Sequence, residues 1–269
     1  MRRSFAGATV VVSGAGGGLG RALALSFASA GAQLVLLDRD AAAATRVAGE
    51  IAARGHAAAL ACHCDVTDEA ACAAAVAAAE ERFGRIDVLV NNAGITHRSA
   101  FEATRTDVLR RVMDVNLFGA VHLTRAALPA LKRRRGLIVV ISSVAGYTPL
   151  LARTGYAASK HALHGLFSSL RTELAADGVG VLLACPSFTA TDIDRHALGA
   201  TGAPATHAQV VIGRRLSPQA VADRIVHAAA RNRRHVLIGR TAHVAWWLHR
   251  LAPALYERLM ARRLRAEMR

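Results

Sequence analysis

The feature that most narrows the folds open to this chain is a rhythm. Short runs rich in valine, leucine and isoleucine alternate with longer alanine-rich stretches almost to the C-terminus. The runs fall at 9–13, 33–37, 57–61, 86–90, 137–141, 179–184 and 235–238. They are largely apolar throughout, not at every second residue, the pattern of strands buried on both faces of a parallel sheet. Between them, 18–30, 40–54, 68–83, 104–132, 155–176 and 217–231 read as helices, since alanine has the best helix propensity. The last of these opens with Ser217 as N-cap and Pro218 at the first helical position. Strand and helix in alternation give an α/β fold: one doubly wound parallel sheet of about seven strands, with helices on both faces. The 269 residues suffice for one well-buried domain, and neither a repeat nor a composition break marks a second.

Composition excludes several classes. No apolar run approaches the ~20 residues of a membrane-spanning helix. The two N-terminal arginines precede only a short valine run that ends in glycines, which fits a first strand better than a signal sequence. The expectation is therefore a cytoplasmic protein. Four cysteines at irregular spacing give no disulfide framework. The "CHCD" at 62–65 reads as small buried thiols, His161 and His164 share a helix face without a third ligand, and no metal is expected. The net charge of +15 comes from arginines spread along the chain without interleaved aromatics, so no nucleic-acid partner is expected.

In doubly wound sheets ligands bind beyond the carboxyl ends of the strands, so the strand-to-helix turns carry the information. The first is "SGAGGGLG", 13–20. Gly14 permits a tight exit from the strand, Gly18 lets backbone approach a pyrophosphate, and Gly20 allows close helix packing. The second strand ends in Asp38, eighteen residues after Gly20, where a carboxylate can accept from both adenosine ribose hydroxyls. A 2′-phosphate would be repelled there, which favours NAD over NADP. Arg39, next in sequence, is the counter-argument.

With "CDVTD" at 64–68 and "NNAG" at 91–94 added in order, the chain resembles a classical short-chain dehydrogenase/reductase over about residues 7–240. The resemblance implies a Rossmann-type sheet and a dinucleotide held by Gly14, Gly16, Gly17, Gly18, Leu19 and Gly20. It further implies Asp65 on the adenine amino group, Val66 beside the ring, and Asn92, Ala93 and Gly94 passing close to the cofactor, with Asn91 tying neighbouring strands. "CPSFTATDI", 185–193, resembles the segment that holds the nicotinamide carboxamide, through Pro186, Thr189 and Thr191. Ser187 departs from the family's glycine, which puts the local turn geometry in doubt.

Of 34 basic residues only Lys132 and Lys160 are lysines. Lys160 lies four residues after Tyr156, so the two share a helix face. A phenol of pKa ≈ 10 needs about 4 kcal/mol of preferential stabilisation to ionise near neutrality. An ammonium ~4 Å away at an effective dielectric near 20 supplies about that. The expectation is thus a phenol lowered by its lysine, with an oxidised nicotinamide adding positive charge. The resemblance implies Tyr156 as acid/base, Ser143 (rather than Ser142) orienting the substrate oxygen, and Lys160 on both Tyr156 and the ribose. Asn116 matches the family's helix asparagine, which props a water linking lysine to solvent; a helix-kinking role is the alternative.

The activity implied is NAD(P)-dependent interconversion of a secondary alcohol and a ketone. Residues 189–215 read as a substrate lid within a 1–240 catalytic domain, and 241–269 as a basic amphipathic extension interrupted at Pro253. Tryptophans and leucines at helical spacing in that extension fit either packing on the protein itself or contact with an anionic membrane. Apolar lid and tail residues point to a lipid, steroid-like or acyl substrate. The family usually forms dimers or tetramers through the helices carrying Asn116 and Tyr156. Two alternatives stay open, an NADP-dependent 3-oxoacyl or carbonyl reductase and a non-catalytic dinucleotide sensor or scaffold.

Overall fold

The structure, a computed structural model, describes residues 2–268 apart from Ala57 and Ala208. Its elements follow in the order β1 (Thr9–Ser13), α1 (Gly18–Ser29), β2 (Gln33–Asp38), α2 (Ala41–Ala53), β3 (Ala59–His63) and α3 (Glu69–Phe83). Next come β4 (Val88–Asn91), α4 (Thr106–Met113), α5 (Gly119–Arg134), β5 (Leu137–Ile141), α6 (Thr154–Glu173) and β6 (Gly180–Pro186). The chain ends with α7 (Pro218–Ala230), β7 (His235–Ile238), α8 (Arg240–Leu251) and α9 (Pro253–Leu264). The strands form one parallel sheet, as the apolar runs imply, in the order β3-β2-β1-β4-β5-β6-β7.

Alternate residues of each strand point to opposite faces, and each face carries its own core. Val10 and Val12 pack with Leu23 and Phe27 of α1, Ile51 of α2 and Ile225 of α7. Val11 points the other way and joins Val76 of α3, Leu123 of α5 and Phe167 of α6. Full burial of side chains such as Phe27 and Phe167 is worth ~1.5–3 kcal/mol each. Local capping fixes where the helices begin. Asp40 caps α2 by accepting from Ala43 N, Asp68 caps α3 from Ala70 N and Ala71 N, and Ser217 caps α7 from Ala220 N.

The third strand and the helix expected over 104–132 depart most from the sequence expectation. The third strand was expected at 57–61 but runs from Ala59 to His63, paired from Leu34↔Ala59 to Asp38↔His63; Ala57 lies outside the described residues. Ladder pairing with the whole of β2 thus draws Cys62 and His63 into the sheet. The single helix expected over 104–132 is interrupted by one π-helical turn, Asp114–Phe118, between α4 and α5. The cause is Asn116, whose side chain is bonded to another element, as described below.

The extension after β7 forms α8 and α9, broken at Ala252 just before Pro253. It folds back on the segment between β5 and α6. Tyr147 donates to Ala242 O, Tyr256 donates to Thr148 Oγ1, and Trp246 packs edge-on against Tyr147. Among the described residues no helix is long and apolar enough to cross a membrane.

Candidate active site

The strand order reverses direction between β1 and β4, and a cavity of about 1400 Å³ opens above their carboxyl ends. It is lined by every residue the sequence assigns to the cofactor, from Gly14 to Thr191, and by Ser143, Tyr156 and Lys160; Asn116 is absent from the lining. The glycine turn lies against β2 and β4. Gly16 N donates to Asp38 Oδ2 at 2.8 Å, and a Cβ on Gly16 would collide with that carboxylate. Asp38 Oδ1 accepts from Asp40 N. A carboxylate has about four acceptor sites, so Asp38 keeps capacity toward the cavity. Asp65 accepts from both N and Oγ1 of Thr67, which holds its carboxyl below the usual range. Exposed Arg39 contributes to that lowering from across the cavity. These residues fit a dinucleotide: the glycine turn, Asp38 and Asp65 line one cavity, and the N-terminal end of α1, with no side-chain cap at Gly17, faces the same space.

The asparagine pair corrects one assignment. Asn91 was expected to tie strands together, but its Nδ2 donates to Thr124 Oγ1 and so joins β4 to α5. Asn92 ties the strands instead. Its Nδ2 donates to Ser13 O and Gly14 O, while Ser13 Oγ accepts from Asn92 N and Ala93 N.

At the other end of the cavity Ser143 leaves β5 and accepts from Ala145 N. Its neighbour Ser142 turns the other way, donating to Lys160 O on α6. Tyr156 and Lys160 lie on the same face of α6, with the ammonium 5.7 Å from the phenol ring centroid. Lys160 Nζ donates to Ile141 O at 2.9 Å, and burial pushes the amine down to about 8. Tyr156 departs from the sequence expectation. Its phenol is raised, because burial outweighs the lowering by a hydrogen bond with Ser143 and by the guanidinium of Arg153. Lys160, whose Nζ donates to Ile141 O, does not offset that burial.

Asn116 Oδ1 accepts from Ile95 N, and its Nδ2 donates to Ile95 O and Ser159 Oγ. With both amide protons used, the side chain fastens the π-turn to the segment after β4 and to α6. A Cβ on Gly94 would meet Asn116 Oδ1 and lie 3.6 Å from Lys160 Nζ. Asn116 is therefore a positioning residue in this geometry.

Ser187, the departure from glycine, shows no positive φ. Gly239 (φ +103) supplies the room instead, for a Cβ there would collide with Ser187 Oγ. The lid segment is fixed to the loop after β4 by main-chain bonds, Leu198 N to Thr96 O and Arg98 N to Leu198 O. Its Ala208 lies outside the described residues.

Sequence reasoning missed several cavity residues. Arg153 is the most consequential: it is buried, lines the cavity and pulls on the Tyr156 phenol. Its place at the N-cap of α6, three residues before Tyr156, was the available signal. Asp194 of the lid and Leu248, Tyr256 and Met260 of the extension also line the cavity, placed there by tertiary packing alone.

Known proteins share this arrangement. A profile of the family described as short chain dehydrogenase matches residues 8–200. The Bos taurus protein named dehydrogenase/reductase SDR family member 7B is 40% identical over 275 residues, covering 99% of this chain and 84% of its own. An Anopheles gambiae dehydrogenase/reductase SDR family protein 7-like is 38% identical, covering 97% and 84%. A crystal structure of a short chain dehydrogenase/reductase SDR from Burkholderia phymatum in complex with NAD matches with a TM-score of 0.85 and 30% identity, over 94% of this chain and 96% of that one. The chain belongs to the short-chain dehydrogenase/reductase family, oxidoreductases that act on CH–OH groups.

Proposed function

We propose that the protein interconverts a secondary alcohol and a ketone on an apolar skeleton, using NAD in preference to NADP. The observation that carries this reading is the flanking of the Tyr156 phenol by Ser143 and Lys160 at the wall of the cavity onto which the glycine turn opens. Bound in that cradle, the nicotinamide dinucleotide supplies hydride-transfer chemistry. Asp38 supports NAD, since it presents negative charge where a 2′-phosphate would sit; Arg39 is exposed beside it.

Tyr156 handles the proton. In reduction the protonated phenol donates to the substrate oxygen, and its raised pKa suits that role at neutral pH. In oxidation the phenolate takes the alcohol proton, a form favoured by Ser143 and Arg153. Ser143 Oγ holds the oxygen in line, and Lys160 adds positive charge at the ribose end. Leu248, Leu259 and Met260 of the extension and Ile212 of the lid give the cavity apolar walls.

Tyr156→Phe should lower turnover by at least about 100-fold, the low end for a lost general acid/base. Dinucleotide affinity should stay within about twofold by fluorescence titration. Nicotinamide absorbance followed over alcohols and ketones of graded length, with each cofactor, is the measurement. Turnover that survives in Tyr156→Phe, or a higher kcat/KM with NADP, would remove the respective part of the proposal.

A second part concerns the extension, proposed as a peripheral membrane contact of an otherwise cytoplasmic homo-oligomer. Val244, Trp247 and Leu251 remain exposed, Leu251 at 77%, although α8 packs on the catalytic domain. Arg250, Arg258 and Arg262 are exposed on the same two helices. Trp247→Ser with Leu251→Ser should weaken flotation on phosphatidylglycerol-containing vesicles by about tenfold or more. Equal flotation of the double variant would end this part.

A further inference from the structure

Three side chains outside the catalytic set converge where α6, β6 and β7 meet. Cys185 Sγ, near the end of β6, lies 3.5 Å from Nε2 of His164 on α6 and 3.2 Å from Nε2 of His235 on β7. All three ligand atoms lie within 4.8 Å of one another. Burial pushes the Cys185 thiol up to about 12 and holds His164 down at about 4, with His235 lowered as well. The Cys185 S–H and the two imidazole Nε2 atoms share these contacts in roles set by the tautomers, and His164 Nε2 also faces Ser142 Oγ at 3.0 Å.

The same geometry suits a tetrahedral cation. A metal with bonds of ~2.3 Å to sulfur and ~2.0 Å to nitrogen holds those two atoms ~3.5 Å apart. We propose that His164, Cys185 and His235 form a binding site for a divalent transition metal of the zinc class, with Ser142 Oγ toward its fourth position. The ligand set is one thiolate and two neutral imidazoles, the donors that borderline-soft cations prefer. Binding forms the metal–sulfur bond with loss of the Cys185 proton to solvent; the imidazoles bind without proton loss, and nothing is oxidised or reduced. Trp246 packs 5.4 Å from the His235 ring, and Tyr147 packs edge-on against His164, so aromatic rings wall the site.

The location gives the site a consequence for catalysis. Ser142 precedes Ser143, His164 lies one turn beyond Lys160, and Cys185 precedes Pro186. A bound cation would fasten together the three segments that carry Ser143, Lys160 and Pro186. The proposal does not depend on the dehydrogenase reading. It also departs from the sequence expectation of no metal, which set aside both "CHCD" and the His161/His164 pair, the latter for want of a third ligand.

The test loads the full-length protein with one equivalent of Co²⁺, removes free metal by gel filtration, and records the absorption spectrum. About one retained cobalt per chain is expected, with an intense thiolate-to-cobalt band in the near ultraviolet and tetrahedral ligand-field bands in the visible. Equimolar Zn²⁺ should abolish all of these. Cys185→Ser should lose the near-ultraviolet band, and His235→Ala should weaken retention by more than about tenfold. His63→Ala, an exposed residue of the "CHCD" segment, should change neither. Wild-type protein that retains no cobalt, a thiolate band that survives in Cys185→Ser, or bands lost in His63→Ala would each overturn the proposal. Should Cys185→Ser fail to fold, the wild-type spectrum and His235→Ala decide the matter.

Discussion

His97 shows what burial does to a single titratable group. It is fully buried, its Nε2 accepts from Gly155 N at 2.9 Å, and desolvation together with Arg153 pushes it down to about 4. Because the folded value lies below the unfolded one, the unfolded chain takes up this proton first. Stability from this group is intact above pH ~6.5 and is lost as pH falls toward 4, to a limit of roughly 3 kcal/mol. Urea melts at pH 7 and pH 5 should differ by about 2 kcal/mol more in wild type than in His97→Gln, whose amide oxygen can still accept from Gly155. Equal pH dependence in the two proteins would count against this account. Nothing in the sequence marks His97, whereas Tyr156 and Lys160 announce themselves by spacing. The difference is that an i, i+4 pair is a local relation fixed by helix geometry. Burial is a property of everything packed around a residue. For the same reason the direction of the Tyr156 shift could not be read from its lysine alone.

At the scale of elements, periodicity carried most of the fold. The seven apolar runs are the seven strands, and the caps Asp40, Asp68 and Ser217 begin the helices that the alanine-rich stretches suggested. The π-turn at Asp114–Phe118 was not legible, because Asn116 is held by Ile95 on a different segment. The fit of Ser187 was not legible either. Its room comes from Gly239, more than fifty residues further along the chain. Gly239→Ala should destabilise the fold by roughly 1–3 kcal/mol, from the positive φ and the collision with Ser187. Adding Ser187→Gly should recover the steric share while leaving the backbone share. Thermal melts of the two single variants and the double variant measure that coupling; strictly additive effects would refute the shared cause.

The whole molecule is closed by a latch at its C-terminal end. Glu267 is buried, pairs with Arg153 Nη2 at 3.2 Å and accepts from Val210 N of the lid. One carboxylate thus joins the extension, the segment expected as a lid and the head of α6. Glu267→Ala should cost ~3–5 kcal/mol, the usual penalty for leaving a buried charge unpaired. It should also raise KM for the apolar substrate, since the lid loses its tether. Calorimetry and steady-state kinetics read the two effects, and an unchanged melting temperature would refute the latch. The sequence by itself determined the doubly wound sheet, the glycine turn after β1 and the pairing of Tyr156 with Lys160 on one face of α6. Those rest on short-range periods, turn chemistry and motifs that the local chain writes directly. Only the tertiary structure decided which way the phenol is shifted, how Ser187 is accommodated and that the extension forms a wall of the cavity. Each of these depends on atoms distant in sequence coming into contact, and on the water that contact excludes.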